Sequence, residues 1–483
     1  MNQKVLDFLK SKGYSNVESS YYNYIKLWEE FWKGKTSFHK YYDFFGTERE
    51  MYSLGMAKQV PEDWSSILWN EDMEIHSDDE QTDRIIPAIL KDVKFYKKFP
   101  EYINKAFYSG TCGIVTRIKN AIVSNNGITK GPKTKINLIG ITADKIIPLT
   151  VDDGKITEVA FVSEVIKKSK KYYYIEMHLI KNDKDGYYYE ISNIYLDESG
   201  EEVEMEGIVK TFTTSKDIPL FCCLMPNLDN PLDCQNGLGY SVLGDAIDQL
   251  KGVDIAYHNF VMDSYLGGKK IFYNKKVVKY RTETIKKDDG TTETIEVPVF
   301  PDDIAKQQFA TYGDEMENIN DNPVLKEYNP DLRTEDNEKT IQMALNLLSL
   351  KVGLGRDYYR FDRSSGVVTA TQYLGDRQDL VSTAKKHMDN IEDCVKEILK
   401  SLLYIYRTLM NEEVNEEFNI NVVRGDGFLT STEEQKEEFK TDISMGIRSR
   451  TEYRMKFFGE DEKTASEKIA LINEEDSISN LEV

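Results

Sequence analysis

Apolar and polar positions repeat along this chain with two periods, and each period predicts its own kind of element. Residues 20–33, SYYNYIKLWEEFWK, place apolar side chains at helical spacing. This predicts an aromatic-faced amphipathic helix with Tyr24, Leu27, Trp28, Phe31 and Trp32 on one side, a stripe of the sort that packs into a core. Between about Lys135 and Val209 the period drops to two. The runs IIPLTV, ITEVAFV, YYYIEMHLI and YYYEISNIYL read as strands, and Asn182 to Gly186 supplies turn chemistry between the last two. An antiparallel sheet between helical parts is expected.

Three long helices follow. From Ser241 to Leu266, the residues Leu243, Ala246, Leu250, Val253, Tyr257, Phe260 and Ser264 recur at steps of three and four, and Gly267-Gly268 ends the run. A second helix is expected from an N-cap at Thr334, with Glu335 and Asp336 in its first turn, through Ile341, Leu345, Leu348 and Val352 to Gly353 and Gly355. A third begins at a capping box, Thr369 to Gln372, and runs past Leu409. Its stripe of Ala384, Met388, Ile391, Val395, Ile398, Leu402, Ile405 and Leu409 keeps a 3.5-residue period. A second row, Cys394, Leu399, Leu403, Tyr406 and Met410, also needs cover, so the helix belongs inside a bundle or ring rather than in a free coiled coil. Between the first two helices, residues 269–331 form a short-strand module with a hairpin turning at 286–290.

Length and charge narrow the function. At 483 residues the chain exceeds one core, and two to four packed regions are expected. A net charge of -21 argues against a protein that grips nucleic acid over its whole surface, since that binding is driven by Lys and Arg. The N-terminal residues MNQKVLDFLKSKGY lack the apolar run of a signal peptide, and no stretch approaches a membrane span. Cys112, Cys222, Cys223, Cys234 and Cys394 are scattered and odd in number, which suits free thiols in a reducing compartment, with Cys222 and Cys223 as small buried hydrophobes.

Chemistry is sparse. The histidines His39, His76, His178, His258 and His387 lie far apart, and neither HExxH nor CxxC occurs, so no metal or cofactor is expected. Gly239 to Gly244 has the frame of a phosphate loop, but Asp245 stands where the lysine must be, and its carboxylate would repel phosphates. There is no GxSxG, and the acidic pairs Asp288-Asp289 and Asp302-Asp303 sit in turn-like sequence. An enzyme is not expected.

Three stretches, taken in order, resemble the portal proteins of tailed double-stranded-DNA bacteriophages, in the group found in long-tailed phages of Gram-positive bacteria. Gly237 to Ser241 running into the helix that ends at GGKKIFYN is similar to the first stem helix entering the clip. LNLLSLKVGLG followed by FDRSSGVVTATQYL is similar to the second stem helix, the tunnel loop and the start of the long helix. Gly446-IRSRTEYRMKFFGEDEKTA is similar to the C-terminal pattern of the family, while Arg424 to Gly427 departs from it.

The resemblance implies an α+β portal fold. Its parts would be a wing over 1–236, with helices and the sheet at about 135–215, a first stem helix at 237–268 and a clip at 269–332. A second stem helix at 333–353, a tunnel loop at 354–368, a long helix returning to the wing at 369–427 and a helical crown at 428–483 complete it. It further implies a homo-oligomeric ring, usually of twelve subunits, at one capsid vertex of the virion, assembled in the host cytoplasm. Double-stranded DNA would enter and leave through it. Terminase and later the head-completion (adaptor) proteins would dock on the clip, and the major capsid and scaffolding proteins would be neighbours; no membrane is involved. The rival classes are a capsid structural or scaffold protein without a channel, and a DNA-processing enzyme.

Two groups of residues are candidate sites on this reading. Arg356, Arg360 and Arg363, beside Ser364, Ser365 and Gly366, would lie at the tunnel loop, either touching passing DNA or paired with Asp357, Asp362 or a neighbouring subunit's acids. Lys286, Lys287, Asp288 and Asp289 would form the clip's exposed tip, either docking a partner or simply solvated.

Overall fold

The computed structural model describes residues 3–14, 19–43, 46–69, 73–124, 127–184, 186–205, 208–214, 216–232, 236–267, 270–274, 280–286, 292–298, 309–312, 325–329, 331–360, 378–410, 419–423 and 432–479. These residues form an α+β protein in which all but one of the described strand pairings are antiparallel.

Helices α1 (Gln3–Ser11) and α2 (Ser19–Trp32) open the chain, followed by a small hairpin of β1 (Lys40–Tyr42) and β2 (Glu48–Glu50). Helix α2 is aromatic-faced as expected, but its buried side is turned: Tyr21, Tyr22, Ile25, Trp28 and Phe31 are covered, whereas Tyr24 and Leu27 are 45% and 37% exposed. The two apolar rows compete for one core. The row carrying Tyr21 and Tyr22 prevails because their hydroxyls donate to the carbonyls of Gly239 (3.1 Å) and Ile146 (2.8 Å), satisfying polar ends that burial would otherwise strand.

After α3 (Met56–Leu68), β3 (Glu74–Ser77), α4 (Glu80–Asp92) and α5 (Phe95–Ser109), the chain enters its sheets. Strand β4 (Cys112–Lys119) is followed by the hairpin β5 (Ile122–Ser124) and β6 (Gly127–Thr129), then β7 (Lys135–Thr142). Strands β8 (Ile146–Asp152), β9 (Lys155–Lys167), β10 (Lys170–Asp183), β11 (Gly186–Leu196) and β12 (Thr211–Thr213) make a five-stranded sheet in the order β12-β11-β10-β9-β8. The expected turn is confirmed, with Asp183 opposite Gly186. Strand β13 (Phe221–Leu224) flanks β4 in a second sheet, β13-β4-β7.

Apolar side chains on both faces of the larger sheet are covered. Ile147, Val162, Ile175 and Met177 pack with Val5, Leu6 and Leu9 of α1, while Ile146, Val159 and Phe161 face Trp28 of α2 and Phe221 of β13. Arg117 of β4 forms an ion pair with buried Glu176 of β10, which also accepts from His178 at 3.2 Å. Burial alone would raise the Glu176 carboxyl, but His178 and Arg117 outweigh it and hold its pKa below the usual range.

The main core is formed where α3 and α5 meet α6 (Ile247–Leu266), α7 (Thr334–Lys351) and α8 (Gln378–Met410). Helix α6 starts later than expected: residues 244–246 are a 3-10 turn, and Gly239 is pressed against Gly110. A Cβ on Gly239 would lie 2.4 Å from the Gly110 carbonyl oxygen. The GxxxxG frame therefore serves close backbone packing, with the Ser241 hydroxyl bonded to the carbonyls of Phe107 and Tyr108.

Both apolar rows of α8 are covered apart from Met410, which is half-buried, as its two-faced pattern requires. Its proposed start at Thr369 lies outside the described residues. Strands β14 (Lys270–Asn274), β15 (Tyr280–Lys286), β16 (Thr292–Pro298), β17 (Phe309–Tyr312) and β18 (Leu325–Tyr328) form the expected module between α6 and α7, with β15 and β16 a hairpin and β17-β14-β18 a small sheet. Strand β19 (Ile420–Val423) pairs with β3, returning the chain to the N-terminal half. Helices α9 (Thr432–Ser444), α10 (Arg450–Phe458) and α11 (Glu462–Ser479) end the described chain. Ser449 and Glu452 form a capping box at α10, and left-handed Gly459 closes it, so the EYRMK stretch is a helix ended by its glycine.

Candidate functional site

Helices α6 and α7 run antiparallel, tied at both ends. At one end Arg333 donates two hydrogen bonds of 2.8 Å to Asp263, and Asn337 donates a third of 2.9 Å, which holds the Asp263 carboxyl below the ordinary aspartate range. Arg333, not Thr334, is thus the residue at the N-cap of α7, and its side chain clamps the neighbouring helix instead of capping its own. Gly267 also sits here, where a Cβ would lie 2.5 Å from the backbone carbonyl oxygen of Asp263. At the other end Lys351 approaches Asp245 at 3.9 Å.

The inner face of α7 buries Ile341, Leu345, Leu348 and Ser349. The outer face carries Met343, Leu347 and Leu350 at 58%, 53% and 56% exposure. Those three lie four and three residues apart, so they form one apolar stripe that no described part of this chain covers.

The turn that follows presents two of the predicted arginines. Gly353 and Gly355 are left-handed (φ 81° and 85°), ending the helix as their type suggested. The turn is held in place: Trp64 Nε1 donates to the Val352 carbonyl at 3.1 Å, Gln342 donates to the Tyr359 carbonyl at 2.7 Å, and the Tyr359 hydroxyl donates to Asp63 at 2.6 Å. Burial and the Asp63 carboxylate push the Tyr359 pKa up, so it stays a donor. From this support Arg356 and Arg360 point to solvent at the mouth of a cleft of about 500 Å³, together with Glu335, Glu338, Lys339 and Asp357.

Three basic and three acidic groups share that cleft, so it is no phosphate cradle. Arg360 pairs with Asp357 at 2.6 Å, one of the partners weighed from the sequence. Both are largely solvated, and such a pair contributes at most about 1 kcal/mol, so it can open when a stronger anion arrives. Arg356 has no hydrogen bond or ion pair among the described residues. Arg363, Ser364, Ser365 and Gly366 lie outside the described residues, as do Lys287, Asp288 and Asp289. Lys286 ends β15 opposite Thr292, and the turn residues between them lie outside the described residues.

A second polar constellation was not legible in the sequence. Thr36 and His39 approach at 3.2 Å, and His39 Nε2 donates to Asp254 at 2.9 Å. Asp254 also accepts from the Ser53 hydroxyl (2.9 Å) and the Leu54 amide (2.8 Å). The residue types match a nucleophile, base and orienting acid. At 7%, 5% and 6% exposure, however, Thr36, His39 and Asp254 face protein rather than solvent, and they act as a latch between the N-terminal segment and α6. His39 and Asp254 are 215 residues apart, so no local spacing could announce it.

No helix among the described residues is long and apolar enough to cross a membrane. No family model matches the chain, and no curated protein matches it. Among solved structures, one similar chain belongs to the "Neck of native GTA particle computed with C12 symmetry"; the match covers 82% of this chain and 87% of that one at 10% identity and a TM-score of 0.36.

Proposed function

We propose that this chain is a portal protein: a subunit of a closed ring through which double-stranded DNA is packaged and later ejected. The observation that carries the reading is the clamped α6–α7 pair, which bears a β-module between its two helices and an uncovered apolar stripe on α7. An exposed stripe of Met343, Leu347 and Leu350 is costly for an isolated subunit and finds a use when a second copy covers it. The order of the three sequence stretches supports the same reading: Gly237 to Ser241 precedes α6, LNLLSLKVGLG ends α7 and enters the turn after it, and the EYRMK stretch is helical.

On this reading the α6–α7 pair lines the channel and the β-module is the clip, where terminase and then head-completion proteins dock. Arg356 and Arg360 stand at the turn leading into the tunnel loop, where they touch the passing phosphates briefly. A net charge of -21 on each subunit keeps those contacts few, so the duplex slides rather than sticks. The ring guides DNA and catalyses nothing.

Negative-stain electron microscopy with light scattering of the purified chain tests this. Rings with a central hole, at a mass about twelvefold that of the 55.8 kDa subunit, are expected once assembly is induced by concentration. A species that stays monomeric or dimeric at every concentration and in the presence of scaffolding and coat proteins would overturn it.

A further inference from the structure

We propose that Cys222 and Cys394 are a disulfide-forming pair, a redox-modification site that staples strand β13 to helix α8. The two sulfurs are 2.6 Å apart and both residues are buried, so the side chains already aim at each other across the strand–helix seam.

The seam around them is well fixed. The hydroxyls of Thr116 on β4 and Ser401 on α8 meet at 2.6 Å, two turns of helix from Cys394. Beyond β13, the Asn227 amide donates to His387 at 3.0 Å, its side chain donates to the Lys386 carbonyl at 2.9 Å, and Asn390 donates to the Met225 carbonyl at 3.2 Å. Hydrogen bonds therefore bracket the pair on both sides along α8.

A route to the pair exists. Beside it lies a cleft of about 330 Å³ lined by Lys155, Tyr189, Cys222, Cys223, Glu397 and Lys400. Cys222 borders this cleft and Cys394 does not line it, so of the pair Cys222 is the thiol a small disulfide meets first. The Cys222 thiolate attacks one sulfur of the reagent, forming a mixed disulfide and releasing one reagent thiolate, which takes up the proton. The Cys394 thiolate then displaces the second reagent thiolate, closing the protein S–S bond. Two protein thiols are oxidised and one small disulfide is reduced to two thiols. Burial raises the Cys222 thiol well above its ordinary pKa, so the first step is slow at neutral pH and quickens in alkali. In a reducing compartment the pair stays open; on exposure to an oxidant it closes.

The test uses the full chain incubated with 2-hydroxyethyl disulfide at two pH values, then alkylated and mapped by mass spectrometry without reduction. The expected result is a peptide cross-link joining Cys222 to Cys394, abolished by dithiothreitol, and a fall from five titratable thiols to three in the denatured monomer. Oxidation should raise the Tm of the wild type and leave that of Cys394→Ser unchanged; Cys222→Ala serves the same comparison should Cys394→Ser not fold. Free thiols at both positions after prolonged oxidation would overturn the proposal. So would a mixed disulfide persisting at Cys222, or a bond from Cys222 to Cys223.

Discussion

His387 lies between the rings of Trp64 and Phe107, each centred 5.0 Å from it, and its Nδ1 accepts the Asn227 amide. Burial, with a smaller contribution from Lys386, pushes its pKa from 6.5 down to about 4. The unfolded chain therefore binds a proton between those values that the folded chain refuses. Stability is fully present above pH 6.5 and is lost as pH falls through the window to about 4, by roughly 3 kcal/mol in all. We expect the midpoint of urea unfolding to drop across that range in the wild type, and the drop to shrink in His387→Gln. The Asp254 latch answers a different test: Asp254→Ala leaves the Leu54 amide and His39 without their acceptor, and should cost about 3 kcal/mol by the same assay at neutral pH.

At the scale of elements, backbone closeness and helix faces decide. Gly110 is left-handed (φ 88°), and a Cβ there would lie 2.3 Å from the Gly239 carbonyl oxygen, with backbone that cannot swing aside. Gly110→Ala should therefore lower stability by about 2 kcal/mol or more, read as a fall in Tm. The C-terminal helices form a separate case. Phe439 packs against Tyr453 and Phe457, with the Arg448 guanidinium 4.4 Å from its ring centre, and none of these residues joins the hydrophobic clusters of the preceding chain. Arg454 and Lys468 hold the Glu460 carboxyl down at about 2, from 4.5, so this unit loses its link between α10 and α11 as pH falls through that interval. A chain stopped after Val423 should unfold with the same main thermal transition as the full chain, measured by calorimetry.

At the scale of the molecule, the exposed stripe on α7 offers a way to test the proposed ring apart from folding. Leu347→Glu places a charge on a surface that is solvated in the single subunit, so the subunit's stability should change by no more than about 0.5 kcal/mol. In a ring the same carboxylate would be buried against a neighbour without a partner, which is far more costly. Expected is a normally folded monomer that forms no rings by light scattering. Normal rings from this variant would remove the stripe from the interface.

Much of this architecture was readable in advance because its signals are local. Strand alternation, the turn at 182–186, the double row on α8 and the glycines after α7 all depend on residues a few positions apart. Local signals also determined that Asp245 disqualifies the GxxxxG frame, and that arginines crowd the turn after α7. Only the tertiary structure decided which side of α2 is buried, since aromatic residues lie on both sides of the helix and the hydroxyl partners of Tyr22 and Tyr21 are 124 and 218 residues away. It alone decided that Arg333 clamps Asp263 and that Cys222 meets Cys394. Secondary structure follows from the periodicity of a short stretch of chain, whereas the pairing of polar groups and thiols follows from which distant surfaces the core brings together.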